Sequence, residues 1–139
     1  MGGVARTRAL ATRLKADLAI IDKRRPSPGK SEVMNIIGDV KNKTCIIVDD
    51  IIDSGGTIIN AVDALKKKGA KEVFVFITHA VLSGEAAKKI KNSKIKKLII
   101  TDTIDNSHKI KNNNKIEVLS ISSLMSEAIK RIANSNSVS

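Results

Sequence analysis

The chain has 139 residues, the length of one domain with a single sizeable core, and 25 lysine and arginine residues against 14 acidic ones give it a net charge of +11. One cysteine rules out an internal disulfide and indicates a reducing, cytoplasmic setting, and no apolar run approaches the ~20 residues of a membrane span. Phe74 and Phe76 are the only aromatic residues, so stacking platforms for nucleic acid are missing and we interpret the lysine-rich segments as a solvated surface, not as a nucleic-acid or membrane contact.

The chain begins with a predicted helix followed by a short strand. Residues 4–15 are predicted to be helical, with Leu10 and Leu14 four positions apart on one face. Residues 18–21 form a short apolar strand that ends at Asp22. The helix is therefore expected to pack on a sheet.

A basic loop follows this strand. Residues 23–31 read KRRPSPGKS, and the two prolines and the glycine predict that the segment cannot continue the strand. Apolar character returns over residues 32–38, and we predict a mobile loop over about residues 23–35. Such loops carry mobile site residues in α/β folds, although a flexible surface loop without a function has the same composition.

The middle of the chain contains the strongest strand signal. Residues 44–48 form a continuous apolar run, as expected of a strand that is buried on both faces of a parallel sheet. Cys45 lies inside this run and is expected to be an inert core residue. A helix is predicted to start near Ile58 and to end within residues 66–69, and residues 73–77 then form a second buried strand.

The rest of the chain continues the alternation of strands and helices, which predicts an α/β fold with a single parallel sheet, right-handed crossovers and helices on both faces. The remaining predicted elements are a helix over residues 83–91, a strand over 97–100, a polar loop over 105–115, an edge strand over 116–121, a last helix and a polar tail over 134–139. The apolar face of the last helix consists of Leu124, Met125, Ala128, Ile129 and Ile132.

Three acidic residues and a turn of small residues follow the central strand. Asp49 and Asp50 come directly after its apolar run, and Asp53 precedes the turn. The glycines of the turn let backbone amides approach a phosphate, its hydroxyls add donors, and the positive end of the next helix favours a dianion. The turn consists of Ser54, Gly55, Gly56 and Thr57.

Ligands of a parallel sheet bind beyond the carboxyl ends of its strands, where these residues are predicted to lie. Carboxylates accept hydrogen bonds from sugar hydroxyls, and a lysine–arginine pair neutralises phosphoryl oxygens, so the pattern predicts a site for a phosphorylated sugar. The alternative is a metal site; we interpret Asp49 and Asp53 as ligands of hydroxyl groups, with a magnesium ion shared through the substrate. The other polar residues expected at this edge are Lys23, Arg25, His79 and Asp102.

The central motif, VDDIIDSGGT, resembles the phosphoribosyl-pyrophosphate motif of the type I phosphoribosyltransferase fold. Five further segments resemble the ribose-phosphate pyrophosphokinase family within that fold, and the likeness covers nearly the whole chain. IIDKRRP and EVMNIIGDV are not shared with the salvage phosphoribosyltransferases. The five segments are GGVARTRALATRL, AIIDKRRP, SEVMNIIGDVKNKT, GAKEVFVFITHAVLSG and LSISSLMSEAIKRI.

This resemblance implies a reaction and a set of site residues. The family transfers a diphosphoryl group from ATP to the 1-hydroxyl of ribose 5-phosphate, which gives phosphoribosyl pyrophosphate and AMP, with magnesium as cofactor. Lys23 matches the catalytic lysine of the flexible loop, and Arg25 matches its catalytic partner on the transferring phosphates. The substrate-binding residues that the resemblance implies are Arg25, Asp49, Asp50, Asp53, Ser54, Gly55, Gly56 and Thr57.

Members of this family are about twice as long and contain two similar domains, and residues 1–139 resemble only the C-terminal one. The adenine-binding residues and the metal-binding histidine belong to the other half, and Met1 stands where the family has a metal-binding aspartate. We therefore expect no metal ligand in this chain and no complete catalysis by the chain alone. The resemblance also implies a homo-oligomer for the full-length family.

Two other functions remain open. A salvage phosphoribosyltransferase would consume phosphoribosyl pyrophosphate instead of making it. A non-catalytic, synthetase-associated subunit would assemble with catalytic chains.

Overall fold

The computed structural model describes residues 2–24 and 33–138. In chain order the elements are α1 (Gly2–Leu14), β1 (Ile20–Arg24), β2 (Val33–Ile37), β3 (Thr44–Ile52), α2 (Gly56–Lys67), β4 (Glu72–Ala80), α3 (Ala86–Asn92), β5 (Lys97–Thr101), α4 (Ser107–Ile110), β6 (Ile116–Leu119) and α5 (Ser122–Ala133). Strands β3, β4, β5 and β6 form a parallel sheet in that order, so each crossover moves one strand in the same direction. Right-handed crossovers then place α2, α3 and α4 on one face of the sheet.

The hydrophobic core lies between this face of the sheet and its helices. Val62 of α2, Val75 of β4, Ile90 of α3 and Leu98 of β5 have no exposed surface, and all four belong to one cluster of buried residues. The apolar side chains of the strands and those at helical spacing in α2 therefore point into one shared core. The predicted α/β fold with a parallel sheet is confirmed.

Helix α1 lies on the opposite face of the sheet. Successive side chains of a strand point to opposite faces, so Asp50 points away from α2. Arg6 of α1 donates to the Asp50 carboxylate over 3.3 Å, which places α1 on that side, and helices lie on both faces as predicted. The expected burial of β3 and β4 on both faces is wrong, because α1 leaves part of this face open: Ile46 and Phe76 are 44% and 37% exposed.

The prediction of a single sheet is also wrong. β1 and β2 pair with each other in antiparallel orientation and form a separate two-stranded ribbon. β1 runs through Lys23 and Arg24, which pair with Met34 and Val33, although the sequence predicted that the chain leaves the strand before Lys23. The prolines come later, so both residues keep a backbone N–H for pairing. Residues 25–32 of the predicted loop lie outside the described residues.

The last helix forms where it was predicted but does not join the core. Leu124, Ile129 and Ile132 of α5 are 68%, 61% and 67% exposed. Among the described residues, α5 therefore has an apolar face that nothing covers.

Smaller differences concern the ends of elements. α2 begins at Gly56, before the expected start near Ile58, and the short helix α4 lies within the predicted polar loop. β6 ends at Leu119, two residues early, because Ile121 already lies at the cap position of α5. In the part of the chain that the structure describes, none of the helices has the length and apolar character needed to span a membrane.

Candidate functional site

The site begins with the turn between β3 and α2. Gly55 has a φ of +78°, a left-handed conformation that strains any residue with a Cβ atom. A Cβ added there would meet its nearest neighbours at 3.8 to 3.9 Å, an ordinary contact distance. The backbone conformation, and not a lack of space, therefore requires glycine at this position.

The helix that follows this turn has an open amino end. Gly55 is its N-cap residue, so no side chain caps the helix, and the first turn contains no acidic residue. Ser54 and Thr57 are exposed beside it, and a Cβ on Gly56 would meet only Ser54 Oγ, at 3.9 Å. Uncapped amides at the positive end of a helix, flanked by hydroxyl groups, form a place where an anion binds.

The paired carboxylates of β3 point to opposite faces of the sheet. Asp49 pairs in register with Ile77, which is buried on the face that α2 covers, so Asp49 shares the side of the turn. Its Oδ1 atom accepts a 2.9 Å hydrogen bond from the backbone N–H of Asp50. The Asp49 side chain is exposed at this end of the sheet.

Asp50, on the other face, forms an ion pair with α1. The Arg6 guanidinium and the Asp50 carboxylate are 3.3 Å apart, and both side chains are more than half exposed. The Arg6 guanidinium, followed by the hydrogen bond with Asp49, holds the pKa of Asp50 below its ordinary value. Sequence reasoning missed Arg6, because an ion pair between residues 44 positions apart leaves no local signal.

The structure brings part of the predicted site together. Asp49, Asp53 and the turn from Ser54 to Thr57 share the carboxyl end of β3, whereas Asp50 belongs to the opposite face. The backbone of Lys23 lies in β1 of the ribbon, and Arg25 lies outside the described residues. The predicted roles of Lys23 and Arg25 therefore stay predictions.

His79 and Asp102 lie at the same end of the sheet, and each forms a hydrogen bond with a neighbouring loop. His79 Nδ1 is 3.1 Å from the hydroxyl of Thr103, which in turn donates to the Thr78 carbonyl over 3.0 Å. Asp102 accepts a 2.9 Å bond from the Ile121 amide. The Ser120 hydroxyl and this amide hold its pKa below the ordinary value. Both side chains thus help to hold the loops that frame the site.

The carboxylates do not form a metal cage. Among residues 2–24 and 33–138, no group of three histidine, cysteine or acidic side chains is placed to hold a metal ion. A magnesium ion that keeps most of its waters and bridges to substrate phosphates needs only one or two protein carboxylates. Asp49 and Asp53 are the carboxylates near the turn that would hold such an ion.

Comparison with known proteins shows the family. Residues 21–139 match the model of the phosphoribosyl synthetase-associated domain. The chain belongs to this family. The chain is 58% identical over all 139 residues to the ribose-phosphate pyrophosphokinase of Bradyrhizobium diazoefficiens, and 56% identical to that of Brucella melitensis. The predicted resemblance to ribose-phosphate pyrophosphokinases is confirmed.

A solved structure supports the same assignment. The phosphoribosylpyrophosphate synthetase from Mycobacterium smegmatis superposes on 98% of this chain with a TM-score of 0.85 and 36% identity. This match covers 43% of that synthetase, and the chain spans 44% and 45% of the Bradyrhizobium and Brucella proteins. The chain therefore corresponds to less than half of each of these relatives.

Proposed function

We propose that this chain is the ribose 5-phosphate-binding half of a ribose-phosphate pyrophosphokinase. The proposal rests on the uncapped start of α2, led by the left-handed Gly55 and placed directly after the carboxylates of β3, in a chain of this family. An open helix end attracts the phosphate, and the nearby carboxylates of Asp49 and Asp53 suit the hydroxyl groups of a sugar.

The substrate is assigned to the α2 side of β3. The 5-phosphate lies against the amides of the first turn of α2, where the hydroxyls of Ser54 and Thr57 add donors. Asp49 has one carboxylate oxygen occupied by the Asp50 amide, so its other oxygen accepts a hydrogen bond from a ribose hydroxyl. Asp53 provides the second carboxylate. Asp50 lies on the opposite face, where its carboxylate forms an ion pair with Arg6.

The reaction is the transfer of the terminal diphosphoryl group of ATP. The 1-hydroxyl oxygen of ribose 5-phosphate bonds to the β-phosphorus and loses its proton to water. The bond from that phosphorus to the oxygen shared with the α-phosphate breaks, and AMP leaves. Lys23 and Arg25 are assigned to the oxygens of the transferring group, where cations stabilise the charge. A magnesium ion, when bound to these phosphates, neutralises part of the same charge. ATP is assigned to the part of the relatives that this chain does not span.

Isothermal titration of the folded chain tests the binding part of the proposal. Ribose 5-phosphate should bind saturably, whereas ribose and inorganic phosphate should each bind more weakly. Asp53→Asn should weaken ribose 5-phosphate binding about 10- to 100-fold, the range expected when a charged hydrogen-bond partner is lost. The exposed Glu127 of α5 provides a control with the same charge change, and Glu127→Gln should leave binding unchanged. Absence of heat with the folded wild-type chain would contradict the proposal.

The catalytic part is tested by AMP formation from ATP and ribose 5-phosphate. The chain alone should release no AMP above the uncatalysed rate. Robust turnover by the isolated chain would show that the assignment of ATP to another part of the polypeptide is wrong.

A further inference from the structure

The loop that follows β4 lies against the end of β3. This loop, residues 81–83, is called the β4 loop below, and its backbone N–H groups donate to the chain where it leaves β3. The Val81 N–H donates to the Ile52 carbonyl over 2.9 Å, and the Ser83 N–H donates to the Asp53 carbonyl over 3.2 Å. The β4 loop therefore contacts the backbone from which the turn of the candidate site starts.

These two hydrogen bonds set the direction of backbone groups within the site. A trans peptide unit is planar, so its carbonyl and its N–H point to opposite sides. The bond from Ser83 to the Asp53 carbonyl therefore also fixes the direction of the Ser54 N–H. The bond from Val81 to the Ile52 carbonyl fixes the N–H of Asp53 in the same way. A shift of the β4 loop would move the Asp53 carboxylate and the start of the turn together.

The β4 loop has a strained backbone of its own. The side chain of Leu82 has no exposed surface, which anchors the loop in the core. Its φ of +50°, however, is a left-handed conformation that a residue with a Cβ atom rarely adopts. Such a conformation persists only where surrounding contacts hold it.

Two side chains from the region of α4 supply contacts of this kind. Asn106 Nδ2 donates to the Ala80 carbonyl over 2.6 Å, and Lys109 Nζ donates to the Val81 carbonyl over 2.7 Å. The two donors are joined directly, because the Lys109 N–H donates to the Asn106 carbonyl over 2.9 Å. They therefore hold two consecutive carbonyls at the point where the chain passes from β4 into the β4 loop.

The surroundings of Asn106 show that its donated bonds are what it contributes. The residue is only 3% exposed, and among the described residues its Oδ1 atom has no hydrogen-bond partner. A buried acceptor without a partner costs free energy, so this oxygen does not stabilise the fold. The Nδ2 atom donates to the Ile104 carbonyl over 3.2 Å as well as to Ala80. Asn106 thus ties the end of β4 to the segment that leads into α4.

We propose that Lys109 and Asn106 are positioning residues for the ribose 5-phosphate site. They act through the β4 loop, which holds the backbone of Asp53 and Ser54, and they are assigned no contact with the substrate. This assignment rests on the proposed function, because it concerns the same site. Lys109 is exposed, so it can be replaced without opening the core.

Titration calorimetry of the full chain with ribose 5-phosphate tests this role. Lys109→Ala removes the bond to Val81 and should weaken binding about fivefold, within the range expected when one hydrogen bond is lost. Lys109→Arg keeps a donor of similar reach and should bind within about twofold of the wild type.

Lys91 provides a matched control. It is also exposed, and its Nζ atom donates to the Asn112 carbonyl over 3.0 Å. It lies in the last turn of α3, at the amino end of the sheet, away from the site. Lys91→Ala removes the same charge and the same kind of bond, and it should leave binding unchanged. Hydrogen exchange of the Val81 and Ser83 amides should be faster in Lys109→Ala than in Lys91→Ala.

A second measurement separates positioning from the loss of a positive charge near an anionic ligand. In about 1 M NaCl the Debye length is only about 3 Å, so an effect of charge at a distance is screened. The ratio of the dissociation constants of Lys109→Ala and the wild type should therefore be the same at low and high salt.

The outcomes distinguish this role from the proposed function. If the folded wild-type chain does not bind ribose 5-phosphate, the proposed function is wrong and the role of Lys109 falls with it. If the wild type binds, the positioning role alone is overturned by unchanged affinity in Lys109→Ala, by equal weakening in Lys91→Ala, or by a ratio that disappears in 1 M NaCl.

Discussion

Val75 and Leu98, in the middle of the parallel sheet, have no exposed surface, whereas Ile37 of the ribbon and Ile46 of β3 are 56% and 44% exposed. All four residues are aliphatic and lie in strands, so residue type does not explain the difference. β4 and β5 have a strand along each edge, and helices cover their core face, while β2 and β3 each pair along one edge only within residues 2–24 and 33–138. Burial in this protein therefore follows the number of neighbouring elements, and the region where a groove separates the ribbon from β3 has too few.

The largest expected effect is on the free energy of unfolding, and it is tested with one leucine from each region. Leu98→Ala removes a side chain without exposed surface and should lower the free energy of unfolding by about 2–5 kcal/mol. Leu14→Ala in α1 removes a side chain that is 54% exposed and should cost about 0.5 kcal/mol or less. Urea denaturation of both variants measures the two losses. Equal losses would mean that the α1 region is packed as tightly as the sheet.

The second comparison uses two glycines with positive φ. Gly55→Ala places a Cβ on a residue with φ +78° and should lower the free energy of unfolding by about 1–2 kcal/mol. Gly84→Ala, at φ +52° with nothing within 4 Å of the added Cβ, should cost a similar amount. Only Gly55→Ala should also weaken binding of ribose 5-phosphate, which titration calorimetry of both variants measures. Equal weakening by the two substitutions would argue against the turn as the phosphate site.

The smallest effect concerns the ion pair that joins α1 to β3. Arg6 and Asp49 hold the pKa of Asp50 below 3.8, so the unfolded chain binds more protons than the folded chain just below that pH. The resulting stabilisation is present above the unfolded pKa and is lost as pH falls through the folded pKa. Arg6→Ala should raise the pKa of Asp50 toward 3.8, measured by NMR titration of its carboxyl carbon.

Arg8→Ala provides the control for this titration. It removes the same charge from the same helix, but the contact with Asp50 belongs to Arg6. An equal rise of the Asp50 pKa in both variants would mean that the general positive charge of α1, and not the 3.3 Å ion pair, sets its value.

Local sequence signals predicted the turn between β3 and α2 better than they predicted its surroundings. The apolar run before Asp49 and the two glycines after Ser54 act within a few residues, so the strand, the turn and α2 could be predicted together. The partner of Asp50 could not, because Arg6 reaches it only after α1 has docked on β3. The prolines in the basic segment indicated an early end for β1, but pairing with β2 extended that strand through Arg24.

The sequence by itself determined the alternation of strands and helices from β3 to β5, the glycine turn after β3 and the likeness to ribose-phosphate pyrophosphokinases, since propensity, glycine and motif signals are local. Only the tertiary structure decided that Asp49 and Asp50 point to opposite faces of the sheet and that β1 and β2 form a separate ribbon. It also decided that a groove lies between this ribbon and β3. The physical reason is that strand pairing and burial depend on contacts between distant segments. A strand without a neighbour has the same local sequence pattern as a paired one.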